Sequence, residues 1–224
     1  MFRTFLLDYG LICIWVISLL ELLLTGFLFI DYKAKRDPAI LWMALLGVGL
    51  CYDAAIIGLG GMILPPVLPM FSRLRFVLHG LLLPLNLVIC AYALPFYRKP
   101  RIATWVLTGI LMALGAAAGC LRELTLAEPI GGIVRYVSAS PKDSWMEIVN
   151  TVLSYGTVIP VIIIGIAVCV KHKSPSILLA GLLMFGFAAL GPATGNFDLI
   201  FLISMFGELF MLLFYTIFEK RHLE

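Results

Sequence analysis

Charged residues are scarce in this chain: Asp, Glu, Lys and Arg make up 13% of the 224 residues, whereas 62% are hydrophobic. A soluble domain typically has about 25% charged residues. No stretch is polar enough to form a separate soluble domain. The composition therefore predicts a single transmembrane domain over residues 1–222, and the last two residues, 223–224, are typical of a cloning scar.

Histidines are few, and the cysteines lack metal-binding spacing. Of the three histidines only His79 falls within an apolar run, and none of the five cysteines belongs to a CxxC motif. This composition argues against zinc, di-iron and haem sites. The last apolar run has no lysine, which excludes a retinal Schiff base, and hydrolase and phosphate-loop motifs are missing. We expect no metal and no other cofactor.

Seven apolar runs fill most of the chain instead. A helix needs about 20 residues to cross the hydrocarbon core of a bilayer. The runs cover residues 9–30, 38–60, 74–96, 102–120, 145–170, 176–191 and 199–218. They predict an all-α integral membrane protein, built as a seven-transmembrane-helix bundle.

The basic residues between the runs predict an orientation. The connections after the first, third, fifth and seventh runs hold most of them, and the positive-inside rule places these connections in the cytoplasm. The N-terminus is then outside and the C-terminus cytoplasmic, in the inner (plasma) membrane of a bacterium. The net charge of +3 is small, so we expect no nucleic-acid partner. The long connection 121–144 is typical of a lid or binding loop, and its role is left open.

Ionisable side chains inside the runs are the strongest pointers to a site. A charge at the centre of a bilayer costs roughly 2.5–3.5 kcal/mol on insertion scales, so such groups usually face a protein interior. Arg75, His79 and Asn86 are spaced to form one helical stripe, and Asn150 and Ser154 share a face of the fifth run. Other polar residues inside the runs are Glu21, Tyr52, Asp53, Glu208 and Tyr215.

Depth estimates suggest which of these groups can meet. At about 1.5 Å of rise per residue, Asp53 and His79 lie at similar depth, whereas Glu21, Asn86 and Glu208 lie near the bilayer centre. We expect them to converge on one water-poor chamber that opens toward the exterior leaflet. Each group also has a purely structural interpretation: Arg75 can reach the interface, Asp53 can serve only to neutralise Arg75, and the carboxyls of Glu21 and Glu208 can hydrogen-bond between helices.

The two acidic patches carry a family resemblance. They are Cys51-Tyr52-Asp53 in the second run and Gly207-Glu208-Leu209-Phe210, followed by Tyr215, in the seventh. With the helix count and chain length, this layout resembles the membrane-integral terpene cyclases of fungal meroterpenoid pathways and their bacterial relatives. That family usually has Trp-Glu where this chain has Tyr52-Asp53.

The resemblance implies a reaction and roles for residues. An acid protonates an epoxide or alkene of an isoprenoid lipid, and the resulting cation cyclises. Asp53 is the candidate acid, His79 or Tyr52 orients it, and Glu208 is a second acid or the terminal base. The residues expected to bind the substrate are Arg75, Asn86, Tyr52, Glu21, Trp15, Tyr155 and Tyr215.

A receptor, sensor or carrier is the alternative function. In that interpretation the Arg, His and Asp residues of the outer side bind a small anion or a lipid headgroup, and His79 beside Asp53 acts as a proton-linked switch. Under both hypotheses the expected partners are membrane lipids and a hydrophobic small molecule. The sequence leaves homo-oligomerisation open.

Overall fold

The chain folds into a helical bundle in the computed structural model, which describes residues 2–94 and 98–222. Seven of its segments are helical, long enough and apolar enough to cross a membrane, as the sequence predicts. Two of the helices below, α3 and α4, together form one of these segments. The helices are α1 (Phe2–Lys35), α2 (Pro38–Leu59), α3 (Leu68–Leu82), α4 (Leu85–Ala93), α5 (Arg98–Leu121), α6 (Trp145–His172), α7 (Ser176–Ala193) and α8 (Ile200–His222).

The third segment differs most from its predicted bounds. It begins at Leu68, whereas the predicted run begins at residue 74. Pro69 lies in the first turn of α3, where backbone N–H groups have no partner within the helix, so a proline is tolerated there. It breaks at Pro84, whose ring removes a donor and crowds the preceding turn. Predicted residues 95 and 96 of this run, like residues 223 and 224, lie outside the described residues.

Local capping fixes the ends of two other helices. The Asp37 side chain accepts a hydrogen bond of 2.7 Å from the Ala39 N–H, and Pro38 occupies the first position of α2. The Ser144 hydroxyl likewise accepts from the Glu147 N–H at the start of α6. Such caps satisfy N–H groups that have no partner within the helix.

A short β-hairpin, absent from the all-α prediction, lies in the long connection between α5 and α6. Its strands β1 (Leu124–Leu126) and β2 (Tyr136–Ser138) pair antiparallel. Ile133, between the strands, is buried in a core cluster with Leu6 and Leu202. The hairpin thus packs on one end of the bundle, which we call the hairpin end.

Glycines allow close contact between neighbouring helices. A Cβ built on Gly80 of α3 would lie 2.4 Å from the Gly115 carbonyl oxygen of α5. On α6, a Cβ at Gly165 would lie 2.5 Å from the Leu178 Cα of α7. Backbones this close leave no room for a methyl group, so small residues set the helix spacing there.

Replacing Gly80 by alanine should destabilise the bundle by about 1–3 kcal/mol, because the new methyl group meets backbone rather than a flexible side chain. Thermal unfolding of the purified protein in detergent measures the effect. Gly109→Ala is the matched control, since nothing lies within 4 Å of its Cβ position. Equal stability of the two variants would contradict the close α3–α5 contact.

Candidate functional site

A cavity of about 670 Å³ lies in the half of the bundle nearest the hairpin. Its walls come from α2, α3, α6, α7, α8 and the residue that follows α5. The wall is largely aliphatic and aromatic. The polar residues that line it are Asp53, Arg75, His79, Arg122, Asn150, Thr151, Ser154, Ser204 and Glu208.

An ion pair joins α2 to α3 at the cavity wall. The Arg75 Nε lies 3.2 Å from Asp53 Oδ1, and neither side chain is exposed. The Arg75 Nε–H makes no hydrogen bond with the residues that the structure describes. A terminal NH₂ of Arg75 donates to the Tyr136 carbonyl oxygen at 3.2 Å. Arg75 therefore connects the second and third helices to the hairpin.

A second arginine pair lies beside the first. The Arg122 Nε lies 3.6 Å from Glu147 Oε1, and the Ser138 hydroxyl of β2 donates to the same oxygen. Burial lowers the pKa of the Arg122 guanidinium, and Glu147 opposes that shift. The Phe76 ring is shared, with the guanidinium carbons of Arg75 and Arg122 lying 4.6 and 4.8 Å from its centroid.

Arg135, unlike Arg75 and Arg122, makes no ion pair with a described carboxylate. Its guanidinium carbon lies 3.7 Å from the centroid of Phe201, a residue that lines the cavity. No carboxylate of the described residues lies within 4.0 Å of its side-chain nitrogens. Burial and the charge of Arg75 lower the pKa of Arg135 to about 10, so it remains charged at neutral pH.

Glu208 of α8 is the acid that faces the deeper part of the cavity. It is buried and makes no salt bridge with the residues that the structure describes. His79 of α3 lines the same cavity and interacts electrostatically with Asp53. Glu21 of α1 lies behind this wall, 1% exposed, and interacts electrostatically with Glu208 and Asp53.

Both carboxyl oxygens of Glu21 lack a hydrogen-bond partner within the described part of the chain. A buried carboxyl without hydrogen bonds is costly, so Glu21 is a group whose burial the described contacts do not explain. Across residues 2–94 and 98–222, no group of three His, Cys, Asp or Glu side chains is arranged to hold a metal ion. We therefore assign none of these residues as a metal ligand.

The cavity brings together half of the predicted site residues. Those that line it are Asp53, Arg75, His79, Tyr155 and Glu208. Those that do not are Trp15, Glu21, Tyr52, Asn86 and Tyr215. The roles predicted for the second group stay predictions, but their surroundings are those of packing residues.

Asn86, the third member of the predicted stripe, does not line the cavity. The regular α-helix is interrupted at Pro84, between His79 and Asn86. Asn86 instead accepts a hydrogen bond of 2.7 Å from the Tyr215 hydroxyl in the core. This bond joins α4 to α8 on the side of Glu208 away from the hairpin.

The remaining aromatic candidates also point elsewhere. The Tyr52 hydroxyl donates to the Phe71 carbonyl oxygen at 3.2 Å, which joins α2 to α3. Trp15 is an exposed residue of α1. Only Tyr155 of the predicted aromatics faces the cavity.

The site residues missed by the sequence prediction are of two kinds. Asn150 and Ser154 were visible as polar residues within an apolar run but had no assigned role, and Arg122 was visible only as one of several outer-layer residues that could rim the cavity. The aromatic residues Phe76, Phe185 and Phe201 line the cavity, yet nothing in an apolar run distinguishes them from lipid-facing phenylalanines.

Comparison with known proteins does not extend this picture: no family model matches the chain, and no curated protein matches it. The resemblance to membrane-integral terpene cyclases therefore rests on the helix count and on the short patches around Asp53 and Glu208.

Proposed function

We propose that this protein is an intramembrane enzyme that acts on an isoprenoid lipid by acid–base chemistry, most concretely by proton-initiated cyclisation. One observation carries the proposal: Asp53, His79 and Glu208 come from three different helices and line one largely apolar cavity. Its volume of about 670 Å³ lies within the usual range of small-molecule sites, about 300–1,000 Å³.

The proposed setting is the plasma membrane of a bacterium. Seven segments are long and apolar enough to cross a bilayer, and the basic residues of the connections favour a cytoplasmic C-terminus. The hairpin end then faces the outside, and the cavity lies within the outer half of the membrane.

Glu208 is the better proton donor of the two cavity acids. Asp53 is held in the ion pair with Arg75, a position that suits a proton acceptor or a counter-ion. Glu208 makes no ion pair with a described residue and lines the cavity, so its carboxyl is the one that can reach a substrate as a proton donor. In this proposal Glu208 is therefore the acid and Asp53 a candidate base, whereas the family resemblance suggested Asp53 as the acid.

The reaction is an isomerisation whose atoms balance within the site. Glu208 gives its proton to the epoxide oxygen or alkene carbon, and the carbocation closes carbon–carbon bonds along the chain. Asp53 or His79 then removes a proton from the last cation, and a proton returns to Glu208. Substrate and product have the same composition, so no oxidant or reductant is needed.

The apolar wall supports this chemistry in two ways. The rings of Tyr155 and Phe185 line the cavity and can stabilise passing cations. The aliphatic residues exclude the water that would quench such cations.

A sensor of anionic amphiphiles is the second candidate function. Arg135 favours it because this cation has no carboxylate partner among the described residues.

A carrier fits the structure less well than an enzyme or a sensor. Val158 and Met184 line the cavity and also belong to the core cluster of the opposite half, so the cavity ends there.

Glu208→Gln should lower turnover of labelled epoxy-isoprenoids in isolated membranes by at least about 100-fold, the contribution of a typical general acid. Glu219→Gln is the matched control, since Glu219 is another buried glutamate of α8, paired with Lys35 at the opposite end. Product formed equally by both variants would remove Glu208 from the mechanism, and no product from the unmodified protein would favour the sensor.

The Arg75–Asp53 pair should show strong coupling in a double-mutant cycle. Arg75→Gln leaves Asp53 without its cation and should cost about 2–3 kcal/mol of unfolding free energy, less than a fully buried pair because the cavity admits some solvent. Asp53→Asn combined with Arg75→Gln should recover at least about 1 kcal/mol of the summed loss. Denaturant titration in detergent measures all three variants, and strict additivity would contradict the pair.

A further inference from the structure

The hairpin packs against its own end of the bundle. Ile133 packs into the core with Leu6 and Leu202, and a Cβ built on Gly60, which follows α2, would overlap the Val134 carbonyl group. Arg75, which lines the cavity, donates to the Tyr136 carbonyl oxygen across the same surface. The hairpin therefore covers this end of the bundle.

The cavity opens sideways, between α6 and α7. Tyr155 of α6 and Phe185 of α7 both line it and are 55% and 40% exposed, so the two helices do not cover each other there. Tyr155 lies ten residues into α6, about 15 Å along the helix, so the opening lies at hydrocarbon depth. The same two helices touch tightly near Gly165, which confines the opening to the hairpin half.

Three arginines lie at the hairpin side of the cavity. Arg75 and Arg122 line it, and Arg135 lies just behind its wall, where it stacks on the lining residue Phe201 and interacts electrostatically with Arg75. The Nε atoms of Arg75 and Arg122 are also buried without a hydrogen bond in the described structure. An anion placed among these three guanidinium groups would gain charge-assisted hydrogen bonds and relieve their mutual repulsion.

We infer that the cavity takes a single-chain anionic amphiphile directly from the bilayer, with its head group at Arg135, Arg75 and Arg122 and its chain in the gap between α6 and α7. This inference deepens the proposed function and rests on the same cavity being the functional one. It commits to a membrane amphiphile and not to a free inorganic anion.

The proposed position of the head group also determines which part of the ligand chain lies beside Glu208. Phe201, which holds Arg135, and Glu208 lie seven residues apart on α8, or about 10 Å along its axis. A head group fixed beside Phe201 thus presents a position about 10 Å down its chain to the Glu208 carboxyl. The remainder of a longer chain leaves between Tyr155 and Phe185.

The test is direct binding of dodecyl phosphate to the purified full-length protein in phosphatidylcholine nanodiscs. Saturable binding is expected, at least tenfold tighter than that of dodecanol, because dodecanol lacks the charge-assisted contacts. Inorganic phosphate at millimolar concentration should not displace the probe. Equal affinity for dodecanol, displacement by inorganic phosphate, or no saturable binding would each overturn the inference.

Matched variants locate the head group. Arg135→Gln should weaken dodecyl phosphate binding about tenfold or more, with Arg135→Lys retaining most of it. Arg101→Gln is the control, because Arg101 also stacks on an aromatic ring, Tyr92, but outside the cavity. Equal losses for Arg135→Gln and Arg101→Gln would overturn the assignment of the head group.

Further variants locate the entrance. Ala188→Trp should block the gap and reduce the association rate of dodecyl phosphate at least tenfold, whereas Ala117→Trp, on an exposed part of α5 outside the cavity, should not. An unchanged rate in Ala188→Trp would overturn lateral entry.

The inference and the proposed function fail separately. Turnover of a neutral epoxy-isoprenoid without saturable binding of dodecyl phosphate would overturn the inference alone. Binding that depends on Arg135, in a protein that forms no cyclised product, would support the inference and overturn the enzyme.

Discussion

The free-energy cost of placing ionisable groups in hydrocarbon is the constraint on which this structure depends. The structure treats its buried ionisable groups in two different ways. At the hairpin end, Arg75 and Arg122 each meet a carboxylate, and the hairpin supplies further hydrogen bonds through Tyr136 and Ser138. Deeper in the bundle, Glu208 makes no ion pair with a described residue and faces a cavity. The ion pairs hold the helices together, and Glu208 is the acid to which we assign the proposed chemistry.

The same constraint explains how much the sequence could predict. Charged residues inside apolar runs are few because burying a charge in hydrocarbon costs free energy. Asp53, His79 and Glu208 could therefore be chosen as candidate site residues from the sequence alone. The depth estimates for these residues needed only helix length and rise. The helix count followed from run length, because almost the whole chain is hydrocarbon-compatible.

The rest depended on contacts that no periodic pattern encodes. The third run was predicted as one helix, and run length gave no sign of its interruption at Pro84 or of the hydrogen bond that holds Asn86 in the core. Strands as short as β1 and β2 lie below the length at which alternation is informative. The pairing of Asp53 with Arg75 was one of several that the depth estimates allowed, and only the packing of α2 against α3 selects it.

The contact of α6 with α7 at Gly165 has a consequence for the surroundings of the protein. Because the two helices meet at one end and enclose a cavity at the other, the bundle supplies an incomplete wall between Tyr155 and Phe185. In the proposed membrane setting, annular lipid against that gap completes the wall. Resident acyl chains then compete with the proposed ligand, and extraction into detergent replaces one wall of the chamber by a different solvent.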